Sequence, residues 1–206
     1  LELLYDERVK SVSEHPTNLL PLSLTNISSV DAILSFMFKR ALKENIPFQL
    51  ILTDDISTIS KNIISEKDLT LFLSELLENA LYASQNISDA NIQVYLGMYN
   101  EIFTLKVSNV GVRFELDTLQ NLGIVKHTSH QDTGGSGTGM MDIWMLKERY
   151  RATLIIDETY TDCETSVQTC ISILFNRKNH YIIHSDRYKD LIKSINRPDV
   201  LILSKE

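Results

Sequence analysis

"SEKDLTLFLSELLENALYAS", residues 65–84, reads as one long amphipathic helix. Ser65 and Asp68 stand three apart at its start, in the manner of a capping box. Leu69, Phe72, Leu73, Leu76, Leu77 and Ala80 then recur at helical spacing and form an apolar stripe. Two polar residues lie beside that stripe, Glu75 and Asn79, four apart and hence on one face of the helix. An isolated pair of this kind is most often a solvated helix face, so its neighbours in the chain have to decide what it means.

Working outward, "SSVDAILSFMFKRALKENI" (28–46) carries apolar residues at helical spacing behind a serine cap, and "PFQLILT" (47–53) alternates as a strand. On the other side, "NIQVYLGMY" (91–99) and "IFTLKVSN" (102–109) read as strands joined at Asn100-Glu101, a hairpin. "FELDTLQNL" (114–122) is a short helical piece that leads into a polar, glycine-rich loop. "TGMMDIWMLKERY" (138–150) is a helix, followed by the strands "ATLIID" (152–157) and "SVQTCISILF" (166–175). The expected class is α+β, a two-layer sandwich of helices on a mixed, mostly antiparallel sheet.

Bulk properties narrow the function. A chain of 206 residues with 43% apolar and 23% charged residues has the composition of an ordinary globular protein. Its formal charge of −7 argues against a general binder of nucleic acid or of anionic membrane. No apolar run reaches the length of about 18 residues that spans a bilayer. Cys163 and Cys170 sit in a β region without a CxxC or a Cys/His cluster, which suggests a reduced, cytoplasmic setting. The chain starts at Leu1 and not at Met, so a fragment is expected, with room for a membrane anchor in the sequence upstream.

The second informative stretch is "GGSGTGM" (134–140), which holds Gly134, Gly135, Gly137 and Gly139, four of the seven glycines in the chain. It runs directly into a helix. Backbone N–H groups at a helix N-terminus form an anion site, and glycine lets backbone approach phosphate oxygens with no Cβ in the way. No Gly-Lys-Ser/Thr follows, so this is not a Walker loop, and no strand precedes it as in a dinucleotide-binding turn. At the helix of residues 65–84, an Asn79 amide oxygen can ligate Mg²⁺ while a Glu75 carboxylate orients or deprotonates an attacking group.

In combination, E-x-x-x-N-A on a helix, a hairpin, a connecting loop and then G-x-G-x-G-M resemble the GHKL ATPase superfamily with its Bergerat-type ATP site. The layout is most similar to the catalytic domain of sensor histidine kinases, and among these to the quorum-sensing accessory-gene-regulator type. The resemblance spans about residues 28–175. It implies Asn79 as the Mg²⁺ ligand of the N box and Glu75 as the catalytic base or histidine activator. It implies Gly135, Gly137 and Gly139 as the G2 box that holds the phosphates, with Thr138 among them and Met140 at the large apolar position. In the G1 box, "NVGVR" (109–113) keeps Gly111, places Asn109 where the family has its adenine-reading aspartate, and has Arg113 for the second glycine. An Asn oxygen still accepts from an adenine amino group, without charge assistance. The ATP lid would be "LGIVKHTSHQDT" (122–133), with His130, His127 and Lys126 as candidate phosphate contacts.

The resemblance further implies ATP and Mg²⁺ as cofactors. Its partners would be an upstream domain carrying the phosphoacceptor histidine, a response regulator, and a second copy in the full-length protein. His15 is followed by Pro16, which disfavours the helix an acceptor needs, so residues 1–27 are read as the remnant of a dimerisation helix and a linker. Past residue 175, "HYIIHSDRYKDLIKSINRPDVLIL" (180–203) reads strand, helix, strand, with Pro198 at the turn. Residues 176–206 are thus expected to add a β-α-β edge unit, or else to open a truncated receiver domain. Two other readings stay open: a degenerate GHKL module for interaction or phosphotransfer, and a serine kinase of the anti-sigma type.

Overall fold

The computed structural model describes residues 24–124, 139–161 and 166–205. In chain order its elements are α1 (Ser28–Lys43), β1 (Phe48–Leu52), α2 (Ile56–Ser60), α3 (Glu66–Ser84), β2 (Ile92–Tyr99) and β3 (Ile102–Gly111). These are followed by α4 (Leu116–Asn121), α5 (Gly139–Tyr150), β4 (Thr153–Tyr160), β5 (Val167–Leu174), β6 (Tyr181–Ser185), α6 (Tyr188–Ser194) and β7 (Val200–Ser204). The strands form one sheet in the order β1-β2-β3-β5-β4-β6-β7. β2, β3, β5 and β4 are antiparallel neighbours, while β1 joins one flank in parallel. β6 and β7 extend the other flank, each parallel to the strand before it in the sheet. The α+β class with helices on a mixed sheet is therefore the observed one.

Local chemistry accounts for most of these elements. Ser65 caps α3 by accepting from the Asp68 N–H, 3.1 Å away. The return half of the expected capping box is replaced: the Ser65 N–H donates to the Tyr150 hydroxyl at 3.1 Å. The serine cap expected for α1 is also replaced. Its N-cap residue is Ile27, and the helix start is tied by Asp31, whose Oδ1 accepts from Thr25 N (2.8 Å) and Thr25 Oγ1 (2.7 Å). The β2–β3 hairpin turns at Asn100 and Glu101, both at positive φ (48° and 64°), as a two-residue turn of matching twist requires. The sequence reading passed over α2. Its five residues, Ile-Ser-Thr-Ile-Ser, have strand-like propensity, and the Asp55 side chain turns them by accepting from Ser57 Oγ and Thr58 Oγ1, both at 2.8 Å.

α3 is the central helix of the covering layer. Leu69, Phe72, Leu73, Leu76, Leu77 and Leu81 are fully buried, each contributing about 1.5–3 kcal/mol of apolar burial. They pack in one core with Val94 and Leu96 of β2, Leu105 and Val107 of β3, and Leu154 and Ile156 of β4. Tyr181 and Ile183 of β6 and Leu191 of α6 belong to the same core. On the opposite side of the sheet, the strand register places Gln49, Gln93, Ser108, Cys170, Asp157 and His184 in a single row.

Candidate functional site

Residues 75, 79 and 83 line one face of α3, and two glycines from elsewhere in the chain approach it. Gly139, the first residue of α5, sits against Glu75 and Asn79: a Cβ there would lie 2.4 Å from Glu75 Oε2 and 3.9 Å from Asn79 Oδ1. One turn further along α3, Gly111 at the end of β3 sits against the Ala83 backbone, where a Cβ would fall 2.3 Å from the carbonyl oxygen. The same carbonyl accepts from the Val112 N–H at 2.8 Å. Glycine at 111 and 139 thus permits two close approaches to one helix face.

Register between α3 and α5 is set at the far end of the pair. Asp68 Oδ1 and Oδ2 accept from Arg149 Nη1 at 2.9 and 3.0 Å, and the Tyr150 hydroxyl donates to Oδ2 at 2.5 Å. From Asp68 to Asn79 is eleven residues, as it is from Tyr150 back to Gly139. At about 1.5 Å per helical residue the two antiparallel paths have equal length, so the ion pair aligns Gly139 with Glu75 and Asn79.

Electrostatically the site is acidic. Burial, together with the charges of Asp142 in the first turn of α5 and of Glu78, pushes the Glu75 carboxyl above the usual carboxylate range. Glu78 pairs with Arg40 of α1. Asn79 Nδ2 is buried without a hydrogen-bond partner. An amide with one end orphaned and its oxygen beside a carboxylate suits a ligand that supplies both a cation and acceptor oxygens. Among the described residues, no group of three or more His, Cys, Asp or Glu side chains could hold a metal by itself.

Asn109 is buried beneath the last turn of α3. Its Nδ2 donates to Ser84 Oγ at 3.4 Å, and Ser84 Oγ donates to the Val110 carbonyl at 2.9 Å. Met140 is half-buried against the core. The structure therefore brings Glu75, Asn79, Asn109, Gly111, Gly139 and Met140 around one helix. His130, Gly135, Gly137 and Thr138, with Lys126 and His127, lie outside the described residues. Arg113 is held away by Asp186, whose Oδ1 accepts from Nη2 at 2.8 Å, with the guanidinium 4.0 Å from the Tyr160 ring. A cleft of about 810 Å³ opens between residues 44–47 and 84–91; it includes Ser84 but none of Glu75, Asn79 or Gly139.

Sequence reasoning missed Asp142 and Ser84. The position of Asp142, three residues after Gly139 in a helix's first turn, was a readable signal. Ser84 carried none, because its role depends on β3 passing beneath α3.

No family model matches the chain, and no curated protein matches it in sequence. Among solved structures, the catalytic domain of histidine kinase ThkA is similar with a TM-score of 0.53 at 13% identity, over 76% of this chain and 97% of that one. The mycobacterial sensor histidine kinase MprB is similar with a TM-score of 0.51 at 15% identity, over 73% and 96%. The fold is that of histidine kinase catalytic domains, and at these identities the likeness is one of fold.

Proposed function

We propose that this chain is the ATP-binding catalytic domain of a two-component sensor histidine kinase, binding Mg-ATP and passing the γ-phosphoryl to a histidine of an upstream domain. The observation that carries this reading is the close approach of Gly139 to Glu75 and Asn79, which joins the N-box-like helix to the last glycine of the G-x-G-x-G stretch. The N–H groups in the first turn of α5, which have no partner inside the helix, would face the phosphates. Asn79 would offer its amide oxygen to the cation, and its orphaned Nδ2 would donate to the bound ligand. When bound, Mg²⁺ would neutralise charge building up on the transferred group. Glu75, with a raised carboxyl pKa, would orient and deprotonate the incoming imidazole. Asn109, anchored through Nδ2 to Ser84, would present its oxygen to the adenine amino group. Arg113 does not oppose this reading, because its guanidinium is engaged by Asp186. On the same reading the protein works with a response regulator and as a dimer.

A degenerate module with this fold is the second reading, favoured by the uncharged Asn109 at the adenine-reading position. Calorimetric titration with a non-hydrolysable ATP analogue, with and without Mg²⁺, separates the two. A kinase domain should bind at about 1 µM to 1 mM, the usual range for substrates, and only with Mg²⁺. Asn79→Ala should abolish the Mg²⁺-dependent binding and leave thermal unfolding unchanged. No binding at the top of that range, or full affinity in Asn79→Ala, would overturn the kinase reading.

A further inference from the structure

The unit β6–α6–β7 grips both ends of the segment 113–122, which leads from β3 through α4. At the near end Asp186 holds Arg113, and Arg187 Nη2 donates to the Phe114 carbonyl at 2.7 Å. At the far end Arg197, in the turn before β7, donates through Nη1 to the Gln120 carbonyl at 3.0 Å and to that of Leu122. These oxygens close the last turn of α4, where carbonyls have no partner inside the helix. The Arg197 side chain is only 7% exposed, and its guanidinium lies 5.2 Å from the Trp144 ring and 5.7 Å from that of Tyr181.

Gly123, the next residue after Leu122, has φ +81° and rests on the same indole: a Cβ there would lie 2.2 Å from Trp144 Cε2. Trp144 belongs to α5, whose first residue meets Glu75 and Asn79. An unbroken set of contacts therefore runs from Arg197 through Leu122, Gly123 and Trp144 to the start of α5. Close-packed contacts leave little room for one member to shift without its neighbours.

We propose, resting on the nucleotide reading above, that Arg197 is a positioning residue of that nucleotide site. By holding the α4 carbonyls and the Trp144 indole together, it sets where the first turn of α5 lies against Glu75 and Asn79. The role calls for arginine. A planar fork reaches two carbonyls, stacks near a ring and pairs with Asp199 at once, whereas lysine offers a single point of contact.

Trp144 is the only tryptophan in the chain, so its emission reports this contact without a label. The test compares the wild-type chain with Arg197→Lys and Arg197→Gln. For each protein it records tryptophan emission without ligand, thermal unfolding, and Mg²⁺-dependent affinity for the non-hydrolysable ATP analogue. In Arg197→Lys the emission should shift and the affinity should fall about tenfold at a temperature where the protein stays folded, as expected for one lost charge-assisted hydrogen bond. Arg197→Gln should lose more; if it fails to fold, the lysine variant decides. Wild-type affinity in Arg197→Lys, or a loss that only follows the unfolded fraction, overturns the positioning role and leaves the nucleotide reading standing. A wild-type chain that binds no analogue at all sinks both together.

Discussion

Glu75 is the residue where stability and chemistry pull apart. Its carboxyl is raised above the ordinary range by burial first, then by Asp142 and Glu78. The folded state therefore favours the protonated form. The associated stability is fully present below the unfolded pKa and is lost as pH rises through the higher folded value. Glu75→Gln mimics the protonated state at every pH. Its thermal unfolding should match that of wild type in acid and exceed it at neutral pH, with the gap opening above about pH 4.3, the ordinary glutamate value. If Glu75 handles the proton of the incoming imidazole, the same variant should lose about 10²–10⁴-fold in phosphoryl transfer. A neutral-pH melt no higher than wild type would mean that burial and the neighbouring charges do not raise this carboxyl. Arg113 teaches a different lesson at this scale. In the sequence it stands where a glycine is expected, yet its charge is taken up by Asp186 and Tyr160 and not by the Glu75–Asn79 site.

At the scale of elements, the α3–α5 pair depends on one acidic residue near its far end. Burial alone would push the Asp68 carboxyl up, but hydrogen bonds from Tyr150, Arg149 and Ser65 outweigh it and hold the group below the usual aspartate range. A lowered folded pKa gives stability that is present above the unfolded value and lost as pH falls through the folded one. Asp68→Asn should cost about 1–3 kcal/mol at neutral pH, the worth of a buried charge-assisted network. The difference should shrink below about pH 3.9, where the carboxylate of the unfolded chain takes up a proton while that of the folded protein still resists it. Urea titrations of both proteins at neutral pH and near pH 3 check this. An equal gap at both pH values would remove Asp68 ionisation from the register of the helices.

Across the whole molecule, residues 181–204 share the core of the preceding sheet. Glu158 of β4 is fully buried, and its carboxylate is met by Arg187 Nε and Nη2, both at 3.0 Å, and by Ser185 Oγ at 3.2 Å. Glu158 also accepts from the Phe114 N–H at 3.2 Å. Removing the arginine would strand a buried charge, so Arg187→Ala should cost about 3–5 kcal/mol in denaturant unfolding. A loss under about 1 kcal/mol, typical of an exposed pair, would show that β6 and α6 are only loosely joined to the rest.

The sequence by itself determined the fold class and the elements other than α2. Helical spacing, the Ser65 cap, the turn residues Asn100 and Glu101 and the alternation of the strands are local features that a chain carries before it folds. It also marked Glu75, Asn79 and Gly139 as residues to watch, because their types suit the chemistry at that spacing, while Asn109 and Gly111 were marked only by the family resemblance. Tertiary structure alone decided how they meet. The Asp68–Arg149 pair joins residues 81 positions apart, Asn109 finds Ser84 across 25, and Arg197 reaches Leu122 across 75. Contacts at such separations are fixed by how helices and strands pack. No local pattern announces that Arg113 turns to Asp186 or that Gly123 lies on Trp144.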